Sequence, residues 1–141
     1  MSWIHDDKQE QDNFNDRKQR QIALQNQRQK QSYFKYVVLQ NIEVGQSILD
    51  EVGVFGEVKN NGNRTLKEVE IIIYCLDKRG QPIFEKTYHP VYVSESSFSF
   101  GNEDKPLKPN YSAKFGCNLD DAPSEWVNKV QVKVINIEFA D

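Results

Sequence analysis

The side chains that could act as metal ligands, bases or nucleophiles are few and lie far apart along this chain. The two histidines, His5 and His89, form no HxH or HExxH pattern and no cluster with cysteine that would hold zinc. No GxSxG, phosphate-loop or GxGxxG motif occurs. A serine or cysteine nucleophile would need a positioned base, which these spacings do not provide. We therefore expect a protein that is not an enzyme, binds no catalytic metal and needs no cofactor.

Adjacent carboxylates in predicted loops of the body include Glu103-Asp104 and Asp120-Asp121. General acid–base catalysis needs two carboxyl groups held across a cleft, whereas neighbours in a loop usually face solvent. Neither pair shows the alternating oxygen ligands of an EF-hand calcium loop. We expect both pairs to be solvated loop residues.

Cys75 and Cys117 are the only cysteines, and their spacing fits no CxxC metal motif. One interpretation is that both are buried, reduced thiols that pack as small apolar residues. The strand pattern below places both on inward faces of different strands, so a disulfide between them is also geometrically allowed. Such a bond would close a loop of about 40 residues and would stabilise the fold by a few kcal/mol.

Charge is distributed in blocks along the 141 residues. Residues 1–16 carry one lysine and five acids, whereas residues 17–35 carry six basic residues and no acid. Residues 36–141 carry 11 basic and 16 acidic residues. The body is thus mildly acidic, which argues against nucleic acid as its main ligand, because phosphate binding needs clustered lysine and arginine.

No apolar run approaches the roughly 20 residues that a membrane-spanning helix needs. The first ten residues lack the basic and then apolar pattern of a secretory signal. This pattern fits a cytoplasmic protein, or a cell-envelope protein whose leader or anchor has been removed.

The polar segment 1–32 contains eight glutamines between Gln9 and Gln31 and no glycine or proline. These residues favour a helix, but the apolar positions form no sustained stripe, so such a helix would gain little by packing. We consider a linker helix or partly disordered arm, a basic arm for an anionic partner, and half of a coiled coil. The coiled coil lacks its apolar seam. The basic-arm interpretation assigns binding to Arg17, Lys18 and Arg20.

Residues 33–141 show the alternation of short β-strands. The clearest pair is 52–59 and 66–77, which we predict to be a hairpin joined by the turn Asn60-Asn61-Gly62-Asn63. Further strands are predicted at 36–44, 82–88, 91–93, 97–100, 111–119 and 126–139. The pattern favours an all-β, immunoglobulin-like antiparallel Greek-key sandwich of seven to nine strands.

Two strands contain irregular features. Gly53 and Gly56 indicate a bulge or a close backbone approach. In the last strand the apolar positions change from even to odd numbers after Val134, which predicts a bulge or a passage between sheets.

Aromatic residues alternate with serines in the segment 91–109. Aromatic side chains in such a setting can form a contact surface, although most pack inward in a sandwich. The candidate binding residues of the body are Tyr92, Phe98 and Phe100.

The strand and turn pattern resembles the FxLYD family. Its members carry G-x-V-x-N, a glycine turn, a strand that ends in F-x-L-Y-D, a D-x-x-G turn and a later L-x-P-G segment. The matching residues here are Gly56 to Asn60, Gly62, Ile73 to Asp77, Gly80 and Leu107 to Asn110.

This chain departs from the family pattern at several positions. Ile73, Cys75 and Leu76 replace the family's Phe, Leu and Tyr, while Asp77 keeps the acid. Asn110 replaces the last glycine, and asparagine tolerates the positive φ of such a turn.

The resemblance covers about residues 52–139 and implies an immunoglobulin-like sandwich in a bacterial protein, of a kind often tethered outside the membrane. It carries no catalytic residue. The function that we expect is a non-catalytic protein-interaction or scaffold module, either monomeric or homo-oligomeric. The alternative is a basic-arm binder of an anionic membrane surface or nucleic acid, and a calcium- or carbohydrate-binding sandwich would rest on fold analogy alone.

Overall fold

The computed structural model describes residues 3–93 and 105–140, which fall into two compact units, Met1–Tyr33 and Phe34–Asp141. The first unit is one helix, α1 (Trp3–Tyr33). It is polar over its whole length, as its glutamine-rich sequence predicts, and its described apolar side chains such as Phe14, Ile22 and Leu24 are exposed. No helix in the described ranges is long and apolar enough to cross a membrane.

The second unit begins with the single 3₁₀ turn Phe34–Tyr36 and continues as six described strands. These are β1 (Val37–Gln46), β2 (Val52–Asn60), β3 (Leu66–Leu76), β4 (Pro82–Tyr92), β5 (Ser112–Asn118) and β6 (Lys129–Phe139). They form two antiparallel three-stranded sheets, with the orders β1-β2-β5 and β4-β3-β6. The all-β expectation for the body is therefore confirmed at this level.

Six described strands are fewer than the seven to nine predicted. The predicted strands 82–88 and 91–93 are one continuous strand, because β4 passes through His89-Pro90 with a bulge. A proline is tolerated there because β4 is an edge strand, where no ladder hydrogen bond from its nitrogen is needed. The predicted strand 97–100 lies outside the described residues.

The predicted hairpin between β2 and β3 is wrong, because these strands belong to different sheets. The observed hairpins are β1–β2 and β3–β4. The turn after β3 is built as its sequence indicates: the Asp77 side chain accepts hydrogen bonds from the backbone N–H groups of Arg79 and Gln81, and Gly80 has φ of 80°. Residues 61–65 instead carry the chain from one sheet to the other.

Asn60 explains why the chain changes sheet at this point. Its side chain is fully buried, and its amide donates hydrogen bonds to the carbonyl oxygens of Arg64 at 2.7 Å and Leu107 at 3.0 Å. Its side-chain oxygen accepts from the N–H of Gly62 at 3.1 Å. The amide thus donates to a backbone group of the loop that has left the sheet and adds a second hydrogen bond to the Leu107 carbonyl oxygen, which also accepts from the N–H of Leu66.

The core consists of the inward-facing residues of both sheets. Alternate residues of β3 are fully buried, and so are Val54 and Val58 of β2. The described core side chains of β3 are Leu66, Val69, Ile71, Ile73 and Cys75. Gly56 also faces inward, where an added Cβ would meet the side chains of Ile42 and Phe115. At Gly53 an added Cβ would lie 2.7 Å from the backbone carbonyl oxygen of Cys117, which is a close backbone approach of the kind predicted for these two glycines.

The four edge strands differ in regularity. The register shifts in β1 between Gln40 and Glu43, and in β4 at both ends of its pairing with β3. It also shifts in β6 around Ile135, which confirms the bulge predicted from the change of phase. Of these four edge strands, only β5 pairs with its neighbour without a register shift. β5 is therefore the described edge strand with the most regular pairing.

Candidate functional site: a groove between two sheet edges

The edges of β4 and β5, one from each sheet, lie side by side. The Lys86 ammonium group donates a hydrogen bond of 2.8 Å to the carbonyl oxygen of Asn118. Next to it, the rings of Tyr88 and Phe115 contact each other with centroids 6.2 Å apart. These contacts lie beside a groove whose described lining includes the end of β4 from Tyr88 to Tyr92.

The groove has a volume of about 990 Å³, which is at the upper end of the range of small-molecule pockets. One wall is the end of β4, from Tyr88 to Tyr92, and the other is the first part of β5, up to Gly116. The turn residues between Lys105 and Tyr111 complete it. Four aromatic side chains contribute to the lining, namely Tyr88, Tyr92, Tyr111 and Phe115.

The groove has a positive character within a body of net negative charge. Lys105, Lys108 and Lys114 line it and are exposed, and its described lining includes no carboxylate. Aromatic surfaces combined with several cations are suited to peptides or other extended ligands that carry negative charge. This pairing of lysines and tyrosines is the main chemical feature of the site.

His89 lies at the outer rim of the groove. Its Nε2 atom is 2.8 Å from Glu70 Oε2 and 3.4 Å from Glu68 Oε1, on the neighbouring strand β3. Its ring also contacts Tyr92 edge to face, with centroids 5.7 Å apart. The histidine thus contacts both glutamates and the ring of Tyr92. Among the described residues, no group of three or more His, Cys, Asp or Glu side chains could hold a metal ion.

The predicted binding residues do not lie together in one described site. Tyr92 lines the groove and is 52% exposed. Phe98 and Phe100 lie outside the described residues, as does Glu103-Asp104. Arg17, Lys18 and Arg20 are exposed on α1, in the other compact unit.

Cys75 and Cys117 are both buried, with free thiols, and lie on strands of different sheets. Burial raises the pKa of the Cys75 thiol, and the nearby Cys117 raises it further. Burial also raises the pKa of Cys117, although the ammonium group of Lys86 partly opposes this effect. The thiols are therefore protonated at neutral pH and poorly reactive.

The second carboxylate pair has structural contacts. Asp120 accepts a hydrogen bond of 3.1 Å from the N–H of Val52, and Asp121 lies 3.6 Å from the Lys86 ammonium group. Both aspartates are exposed. Their contacts fix the chain after β5 and form no acid–base pair across a cleft.

Sequence reasoning missed most of the groove. Tyr88, Lys108, Tyr111 and Lys114 were each assigned to a strand or a turn, without a shared site. The signal in the sequence is the recurrence of lysine and tyrosine on both sides of the prolines at 106 and 109. This pattern of lysines and tyrosines indicates a shared site only once the sheet order is known, because β4 and β5 are edge strands of different sheets.

Comparison with protein-family profiles, with curated proteins and with solved structures finds no match to this chain. The groove and the basic helix are therefore the features from which a function can be assigned.

Proposed function

We propose that this protein is a non-catalytic interaction or scaffold module, in which the β4/β5 groove holds a protein partner. The body is assigned to the immunoglobulin-like sandwiches of the FxLYD type. Two observed features support this assignment. Asn60, at the end of the G-x-V-x-N segment, is buried, and Asn110, in place of the last family glycine, has φ of 69°.

The observation that carries the function is the composition of the groove. Exposed tyrosines and lysines meet between two sheet edges, and Tyr111 is 61% exposed. Tyrosine is enriched in protein interfaces because it offers a large apolar surface with a polar end and few rotatable bonds.

Site-specific photocrosslinking of the full chain in its native cells tests this function. Benzoylphenylalanine replaces Tyr92 or Tyr111 in the groove, and Ile135 on the edge strand β6 serves as the matched exposed control. We expect one discrete crosslinked species at both groove positions and none at the control.

The crosslinked protein is then identified, purified and titrated against the native chain and against the Lys108→Glu, Lys114→Glu variant. We expect the charge reversal to weaken binding at least about tenfold, since two cations next to the ligand change sign. Equal crosslinking at Ile135, or equal affinity of the variant, would remove the groove as the interaction surface.

The second candidate function belongs to the helix, which would bind an anionic membrane surface or nucleic acid. Its support is that Arg17, Lys18 and Arg20 are all exposed on α1 and that no acid occurs from 17 to 35. Such binding is electrostatic and should weaken steeply with salt.

Binding to phosphatidylserine vesicles and to a DNA duplex, each at two salt concentrations, tests this second function. The variant Arg17→Gln, Lys18→Gln, Arg20→Gln should lose binding. The matched control Lys78→Gln, Arg79→Gln, Lys133→Gln removes the same charge from exposed positions of the body and should retain it. Binding that is independent of salt, or lost equally in both variants, would exclude the helix as the binding element.

A further inference from the structure

We infer that the edge of β5 facing away from β2, which pairs with no other described strand, binds an extended, acidic peptide segment of a partner protein as an added antiparallel or parallel strand. This inference rests on the proposed function and specifies the partner and the binding mode of the same groove. Strand addition uses main-chain hydrogen bonds for affinity and the side chains next to the edge for specificity.

The backbone N–H and C=O groups of β5 point alternately towards β2 and away from it. The carbonyl oxygen of Tyr111 accepts from the N–H of Asn60, and the N–H of Leu119 donates to the carbonyl oxygen of Val52, so odd-numbered residues face β2. Because backbone groups alternate along a strand, even-numbered residues face away from β2. The Lys86 contact with the carbonyl oxygen of Asn118 agrees with this direction.

The backbone groups of β5 that point away from β2 belong to residues that line the groove. Ser112, Lys114 and Gly116 are even-numbered and line the groove, and β2 is the only described strand that pairs with β5. Their N–H and C=O groups are thus arranged as one side of a ladder. Gly116 is exposed.

The other three described edge strands contain features that β5 lacks. Proteins protect edge strands from unwanted pairing with bulges and prolines, among other devices. β1 has a bulge at Asn41, β6 has one at Ile135, and β4 has two register shifts and two prolines. β5 contains neither a bulge nor a proline. It is the described edge best suited to receive a strand.

The charge of the groove selects the chemistry of the occupant. Lys105, Lys108 and Lys114 flank the edge, and the described lining includes no opposing carboxylate. A strand with alternating acidic and β-branched residues would place carboxylates near these ammonium groups while its backbone pairs with β5. β5 is seven residues long, so a seven-residue segment matches it.

Amide hydrogen exchange of the full chain, measured by NMR, tests this inference directly. The probe is an acetylated, amidated seven-residue peptide that alternates glutamate and valine, and the control peptide has lysine in place of glutamate. In the free protein, the amides of Lys114 and Gly116 should exchange quickly, whereas those of Phe115 and Cys117 should be protected by pairing with β2. When the glutamate peptide occupies nine-tenths of the protein, the amide exchange rates of Lys114 and Gly116 should fall about tenfold.

Two variants give an independent readout. Ser112→Pro removes one outward N–H at the first residue of the strand, where proline is tolerated, and should weaken the glutamate peptide about three- to tenfold. Lys114→Glu should abolish the preference for the glutamate peptide, and the matched Lys133→Glu on β6 should not.

Several outcomes would overturn the inference. Protection of Lys114 and Gly116 in the free protein would show an edge that is already paired, and protection that rises with protein concentration would assign the edge to a second copy of this chain. Tighter binding of a thymidine oligonucleotide than of the glutamate peptide would assign the lysines to nucleic acid. The peptide could instead shift the ring signals of Tyr88 and Tyr111 while the amides of Lys114 and Gly116 still exchange quickly. That result would exclude strand addition to β5 but would leave the groove as a binding surface.

Discussion

The Lys86 ammonium group hydrogen-bonds the Asn118 carbonyl oxygen at 2.8 Å and so links the edge of one sheet to the edge of the other. Lys86→Met should lower the free energy of unfolding by about 1 kcal/mol, because a charged donor to one carbonyl is lost while the aliphatic part is kept. Urea unfolding measures the change. Lys78→Met, at an exposed turn position, is the control and should be neutral; an equal loss in both variants would contradict a specific role for Lys86.

Asn60 supports the change of sheet between β2 and β3. Asn60→Ala leaves the carbonyl oxygens of Arg64 and Leu107 without their side-chain donor and should cost about 2–4 kcal/mol in urea unfolding. The neighbouring Asn61→Ala changes an exposed side chain and should stay within about 0.5 kcal/mol. Similar values for the two variants would show that the buried amide does not hold this loop.

Glycines 45 and 53 lie opposite each other on β1 and β2, and they should respond differently to an added methyl group. In Gly53→Ala the new Cβ would lie 2.7 Å from the carbonyl oxygen of Cys117, so the backbone must shift, and we expect a loss of about 1–3 kcal/mol. In Gly45→Ala it would meet the Phe55 ring at 3.6 Å, an ordinary contact, and the change should be near zero. Equal stability of both variants would contradict the register of β2 against β5.

The raised pKa values of Cys75 and Cys117 predict a dependence of stability on alkaline pH. The unfolded thiols ionise near pH 9.0, whereas the folded thiols keep their protons to higher pH. Their contribution to stability is therefore present below pH 9 and is lost as the pH rises through the unfolded and then the folded pKa. Urea unfolding of the reduced protein between pH 7 and 10.5 measures this loss.

The matched variant Cys75→Ala, Cys117→Ala should be less stable at pH 7 but should show a smaller decrease above pH 9. Thiol alkylation at pH 8 gives a second check, because the native thiols should react far more slowly than the unfolded ones. Fast alkylation of the native protein, or identical alkaline decreases, would contradict buried, protonated thiols.

Local patterns predicted the strands well because alternation of apolar residues and turn residues depends on near neighbours. β3 was predicted at 66–77 and observed at Leu66–Leu76, and the odd phase after Val134 indicated the bulge at Ile135. Asn110 adopts the positive φ expected of it. These features are encoded within a few residues of where they occur.

Sheet membership could not be read in the same way. The turn residues Asn60 to Asn63 are as typical of a hairpin as of a crossing loop, and the choice depends on the contact between Asn60 and Leu107, 47 residues away. The groove likewise depends on contacts between residues that are far apart in the sequence. Tyr88 and Phe115 carry no mutual signal in the sequence, and they meet because each lies on the edge strand of its sheet.

The change of sheet after β2 brings the edges of β4 and β5 together, and nuclear Overhauser contacts between backbone protons test it most directly. We expect backbone nuclear Overhauser contacts between Val58 and Ala113 and between Gly56 and Phe115. We also expect contacts between the ring protons of Tyr88 and Phe115. Cross-strand contacts between β2 and β3 across Asn60 to Asn63, with none from β2 to β5, would show a hairpin instead and would remove the groove.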